Sequence, residues 1–119
     1  MNTDMMPLEP DTRILIDRTL SNLGWILNGK DKNVFFEQPR TEAERKKLAG
    51  KRPDYVLYSK ESDKPLIVIE AKRKGIRLDA ALEQGVNYAK AIDAPLVFAT
   101  DGVFCKTFHT LSLIHISEP

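Results

Sequence analysis

Cysteine is almost missing from this 119-residue chain, and histidine nearly so: Cys105 is alone, and His109 and His115 are the only imidazoles. An internal disulfide is therefore excluded, and no Cys/His set has zinc spacing. Cys105 reads as a small core residue. Long hydrophobic runs are missing too. The longest apolar stretches, such as Leu66-Ile67-Val68-Ile69, reach four residues, far below the ~20 needed to cross a bilayer, and the N-terminus has no secretory apolar region. A cytoplasmic protein is the expectation. Neither charge sign dominates, with 18 Lys/Arg against 17 Asp/Glu and a net charge of +1. Low-complexity linkers and internal repeats do not occur. Gly29-Lys30 and Gly50-Lys51 lack the glycine loop that would make either a Walker A site. With 42% hydrophobic and 29% charged residues, what remains is one ordinary globular domain at most.

Periodicity supplies the elements. Asp11 can cap a helix running to about Leu23 and ended by Gly24, with Ile16, Leu20 and Leu23 as its buried stripe. Asn28-Gly29 marks a turn and Val34-Phe35-Phe36 a first strand. Thr41-x-x-Glu44 fits a capping box for a short basic helix ending at Gly50. Two strands, about 54 to 59 and 65 to 71, are separated by Lys60-Glu61-Ser62-Asp63-Lys64, short enough for an antiparallel hairpin. A second long helix spans about Leu78 to Ile92, with Leu78, Leu82, Val86 and Ala89 facing the core. Gln84 and Tyr88, four apart, fall together at the edge of that face. Strands at Pro95 to Thr100 and Val103 to Phe108, joined at Asp101-Gly102, complete an α, β, β-β, α, β-β order. The fold class is α/β, a mixed sheet with helices on both faces. Trp25, Phe35, Phe36 and Phe98 read as core anchors.

The tail at 111–119 does not continue this logic. It alternates like a strand but ends without cap, turn or partner, and it is similar to read-through from adaptor or vector sequence. The domain is therefore placed at 1–110 and the tail treated as non-native, a true terminal edge strand being the alternative.

The hairpin carries charge where an apolar strand ends. In Arg52-Pro53-Asp54-Tyr55 and Ile69-Glu70-Ala71-Lys72, alternation sends Glu70 and Lys72 to one face and Ile69 and Ala71 to the other. Antiparallel pairing brings Asp54 beside Glu70 and Lys72. An acid and a base half-buried at i, i+2 need a partner or a ligand, and a divalent metal with a phosphate would supply both. The alternative is a surface ion-pair cluster, which contributes little. Charge distribution favours a polyanion. Residues 40–77 hold twelve Lys/Arg and six Asp/Glu, whereas both flanks are acidic, so an anionic partner would be steered to this region. Arg45-Lys46-Lys47 is either a solvated helix face or part of that surface; Arg73 and Lys74, adjoining Lys72, suit phosphate contact.

Pro53-Asp54 followed after fifteen residues by Glu70-Ala71-Lys72 resembles the PD-(D/E)xK phosphodiesterase superfamily, and Gln84 with Tyr88 fits its QxxxY element. The lead-in Glu9-Pro10-Asp11-Thr12-Arg13, Ile16-Asp17, Gly24-Trp25 and the later Ala99-Thr100-Asp101-Gly102 resemble the N-terminal nuclease domain of type I restriction enzyme R subunits. The likeness covers about residues 9 to 108. It implies a restriction-endonuclease-like core (αβββαβ), C-terminally truncated here, and a Mg²⁺-dependent DNA endonuclease in which Mn²⁺ can substitute; a catalytically inactive nucleic-acid-binding or assembly module of the same fold and a stand-alone repair or recombination nuclease are the alternatives. Asp54, Glu70 and the Ala71 carbonyl would be metal ligands, hard oxygens suited to Mg²⁺. Lys72 would orient the attacking water, act as a base or stabilise developing charge. Glu9, with Asp11 as competitor, would reach the metal through water. Gln84 and Tyr88 would support the site or contact DNA. The likeness further implies double-stranded DNA as substrate, ATP use only in a full-length enzyme with a motor, and methylation and specificity subunits as partners.

Overall fold

The computed structural model describes residues 10–73 and 75–110. The elements follow as α1 (Pro10–Asn22), β1 (Val34–Phe36), α2 (Glu42–Leu48), β2 (Tyr55–Tyr58), β3 (Pro65–Ala71), α3 (Asp79–Ile92), β4 (Leu96–Thr100) and β5 (Cys105–His109). One sheet holds all five strands in the order β1-β2-β3-β4-β5. Its neighbours are antiparallel except β3 and β4, which run parallel and are joined by α3, as a parallel crossover requires. The α/β class, the hairpin and the mixed sheet expected from the sequence are all present. Glu9, Lys74 and the tail at 111–119 lie outside the described residues.

Helices cover both faces. Ile16 and Leu20 of α1 pack on Val34, Tyr55, Leu57, Ile67, Ile69 and Ala71. On the opposite face Leu48 of α2 and Tyr88, Ala89 and Ile92 of α3 pack on Val56, Tyr58, Val68 and Val97. β2 and β3 are consequently buried on both sides, which is why each reads as a continuous apolar run rather than an alternating one. Among the described residues no helix is long and apolar enough to cross a membrane.

Caps decide where the helices start and stop, and some differ from the sequence reading. α1 begins at Pro10, one residue before the cap expected at Asp11, because proline's missing N–H is no loss in a first turn. Its end is a Schellman turn: Gly24 sits at φ 99°, with Gly24 N donating to Ser21 O at 3.1 Å and Trp25 N to Leu20 O at 3.0 Å. That turn folds Trp25 back toward the α1 core. Leu23, expected in the stripe, is instead 71% exposed, since the reversing chain gives its place to Trp25. Thr41 caps α2, its side chain accepting from Glu44 N at 3.2 Å. The Glu44 carboxylate accepts the Tyr58 hydroxyl at 2.7 Å and so ties α2 to β2. Cys105 is also corrected: it is exposed on β5, the outermost strand among the described residues, rather than in the core.

α3 seats closer to the sheet than its large residues suggested. Its buried line is Ala81, Gly85, Tyr88, Ala89 and Ile92, while Leu82 and Val86 are only partly buried. Gly85 causes this rotation. A Cβ there would lie 2.6 Å from Val97 Cγ1 and 3.2 Å from Glu70 Cγ, so only glycine allows the approach. Tyr88 thereby moves from the expected edge into the core, at 6% exposure. Gly85→Ala should destabilise the domain by about 1–3 kcal/mol through overpacking, outweighing the ~1 kcal/mol gain in helix propensity. Urea denaturation midpoints check this, and an unchanged or raised midpoint would refute the close seating.

Candidate active site

The β2–β3 ladder ends at the Tyr55–Ile69 pair. Beyond it, side chains replace backbone acceptors. The Asp54 amide donates to Glu70 Oε2 at 2.9 Å, and the Ala71 amide donates to Asp54 Oδ2 at 2.8 Å. Each carboxylate thus holds the backbone beside the other and uses one oxygen to do so. Among the described residues, Asp54 Oδ1 and Glu70 Oε1 have no hydrogen-bond partner. Glu70 is only 4% exposed, on the face covered by α3, where its Cγ lies near Gly85.

Lys72 follows β3 directly, and its amide donates to Thr100 O at 2.8 Å, which fixes the chain as it leaves the sheet. It is half-buried, and its charge is felt by both carboxylates. Yet ion pairs within 4.0 Å among the described residues, such as Arg40–Asp63, Arg77–Asp79 and Lys106–Asp79, form elsewhere. Lys72 is in none of them. A surface ion-pair cluster, the alternative reading of the motif, therefore does not describe this arrangement.

Burial, then the charge of Asp54, pushes Glu70 up to about 8, with the Asp54 amide and Lys72 opposing. Asp54 is raised as well, first by burial, against the pull of the Ala71 amide and of Lys72 and Arg13; Glu37 adds to the rise. Two neighbouring carboxyls whose pKa values are both raised, chiefly by burial, make a site short of positive charge. Tyr88 reports the same field from α3. Its hydroxyl is raised by burial and then by Glu70 and Asp54, and it accepts from Gln84 Nε2 at 2.6 Å. Gln84 itself is exposed.

The structure thus gathers Asp54, Glu70, Ala71 and Lys72 at one sheet end, with Tyr88 in electrostatic reach and Gln84 hydrogen-bonded to it. Arg73 is half-buried next to Lys72, whereas Arg45, Lys46 and Lys47 are exposed on α2. Two contributors to the local field are not evident from the sequence. Glu37 adopts a left-handed φ of 65° and donates its amide to Asp54 O at 3.1 Å; Arg13 acts on Asp54 from α1. Neither has a local signal, because 17 and 41 positions separate them from Asp54. No group of three His, Cys, Asp or Glu side chains forms a metal cluster among the described residues. A hard cation nevertheless fits: two neighbouring carboxylates, each with an unpartnered oxygen, are the donor type it requires.

The sequence model of the type I restriction enzyme R protein N terminus matches residues 31–114. The chain belongs to this family. Asp54, Glu70, Lys72, Gln84 and Tyr88 all fall inside the matched range, and Arg13 falls outside it. Over 62 residues the chain is 44% identical to the type I restriction enzyme EcoAI endonuclease subunit of Escherichia coli. That segment is 49% of this R protein N-terminal chain and 8% of the relative. No solved structure matches.

Proposed function

We propose that this R protein N-terminal domain is a Mg²⁺-dependent DNA endonuclease module with a restriction-endonuclease-like, PD-(D/E)xK core. The observation that carries the reading is the half-buried Asp54 beside the buried Glu70, with raised pKa values, one free oxygen on each carboxylate and Lys72 adjacent. Asp54, Glu70 and the Ala71 carbonyl would hold Mg²⁺, or Mn²⁺ in its place, and Glu9 would assist through water. Bound there, the metal would neutralise phosphate charge and ready a water for attack.

The chain's own residues supply the rest. Lys72 places a compact positive charge beside the reacting phosphate, where it orients the water or stabilises the charge that develops in the transition state. Gln84 and Tyr88 hold each other and support the Glu70 side of the site. Arg73 and Lys74 take backbone phosphates of double-stranded DNA. No recognition helix or zinc finger is evident in the sequence, so contact is to phosphates and largely independent of base sequence. In the complete cytoplasmic R protein, ATP-driven translocation and assembly with methylation and specificity subunits would come from sequence beyond this domain.

Calorimetric titration of the chain with Mg²⁺ and Mn²⁺, paired with nicking of supercoiled plasmid by the complete R protein in its assembled complex, tests the reading. Metal binding that depends on Asp54 and Glu70, together with metal-dependent nicking, is expected. Absence of metal binding to a folded chain would leave a non-catalytic module of the same fold.

A further inference from the structure

We infer that Arg13 is a phosphate-binding residue of this site, its guanidinium cradled by two aromatic rings beside Asp54. The inference rests on the nuclease reading above and adds to it a residue that lies outside the matched family range.

The cradle is built from both sides of the motif. Arg13 Cζ lies 5.3 Å from the Tyr55 ring centroid and 5.7 Å from that of Phe36. The rings meet edge to face, their centroids 5.3 Å apart. Tyr55 follows Asp54 in the chain, and Phe36 precedes Glu37, whose amide donates to Asp54 O. The chain neighbour of Asp54 and that neighbour's cross-strand partner thus hold the cation. Tyr55 is fully buried, and its hydroxyl donates to Asp17 Oδ1 at 2.8 Å, which locks the ring to α1 one turn beyond Arg13.

That same bond changes what Arg13 can do. Arg13 and Asp17 stand at i, i+4, the spacing at which a helix normally joins opposite charges. Here Asp17 accepts from Tyr55, and no ion pair within 4.0 Å or hydrogen bond involves the Arg13 guanidinium among the described residues. Its charge nevertheless reaches Asp54. Stacking fixes the plane of a guanidinium and leaves its N–H edge for a ligand. A phosphate oxygen pair is the ligand whose geometry matches that fork, and next to a site for phosphodiester hydrolysis the substrate backbone supplies one.

The test compares Arg13→Gln, Arg13→Lys and Arg18→Gln, the last removing an equal charge from an exposed position of the same helix. Affinity for a 20-base-pair duplex is measured by fluorescence anisotropy across a salt series, with thermal melting to monitor the fold and single-turnover cleavage in the assembled enzyme. Arg13→Gln should weaken duplex binding about tenfold or more, and lower the slope of log affinity against log salt by about 0.9, one phosphate contact. Arg13→Lys should keep the slope but lose part of the affinity, since an ammonium lacks the fork. Arg18→Gln should alter neither strongly. If Arg13→Gln lowers the melting temperature yet matches Arg18→Gln in affinity, slope and cleavage, Arg13 is a packing residue and the inference fails alone. A wild-type protein that neither binds duplex nor cleaves it with Mg²⁺ would overturn the nuclease reading and this inference together.

Discussion

Glu70→Gln is expected to abolish Mg²⁺-dependent cleavage, by roughly two orders of magnitude or more, while making the metal-free domain more stable at pH 8. Glutamine keeps an oxygen that can accept from the Asp54 amide and removes the charge that burial and Asp54 oppose. Alanine is the poorer variant, because it would strand that amide at about 1–3 kcal/mol. The pH dependence follows from the direction of the shift. Glu70 holds its proton up to about 8 in the fold, against 4.5 as the ordinary value. Between those limits the folded chain binds more protons than the unfolded one, so stability falls as pH rises. The Glu70 contribution is fully present below about 4.5 and lost by the time the pH has passed about 8. It should be on the order of a few kcal/mol. Thermal melts in chelator at pH 5 and pH 8 would show the fall in wild type and a flatter response in Glu70→Gln. Added Mg²⁺ should restore wild type at pH 8, because it binds the ionised pair in the native state alone. Retained cleavage in Glu70→Gln would defeat the metal-site reading, and so would a variant that unfolds at every pH.

Lys72→Ala should separate chemistry from binding. Its structural bond, amide to Thr100 O, survives any side chain, and no ion pair within 4.0 Å among the described residues is lost. The fold should therefore persist. Loss of the lysine charge leaves both carboxyls slightly harder to ionise, so Mg²⁺ affinity at neutral pH should fall only a few-fold. Single-turnover cleavage should fall far more, by about 10² or beyond, because the positive charge matters most where negative charge develops. A large loss in kcat with a small change in metal and duplex affinity is the expected pattern. Full activity in Lys72→Ala would remove the nuclease assignment, whereas equal losses of binding and rate would make Lys72 a general anion contact.

Elements whose signals are local are legible in the amino-acid order itself. The strand pair around 60–64, the Thr41 cap, the Gly24 stop and the crossover helix each depend on residues a few positions apart, and each appears in the fold. The Asp54, Glu70 and Lys72 set is legible for a related reason. A short hairpin connection leaves one antiparallel register, and that register carries the first strand's start to the second strand's end. Local pattern misleads where burial depends on what lies opposite. Leu23 has the right spacing for a core stripe but loses its place to Trp25 at a chain reversal. Cys105 is apolar enough for a core but lies exposed on the outermost strand among the described residues. Tyr88 has the spacing of a peripheral residue, yet Gly85 lets α3 settle against Val97 and Glu70 and so buries it. The electrostatic character of the site belongs wholly to the tertiary structure. A carboxylate's charge state depends on how much water and how many charges surround it, and those come from α1, α3 and the loop at Glu37, segments that sequence order alone does not bring together.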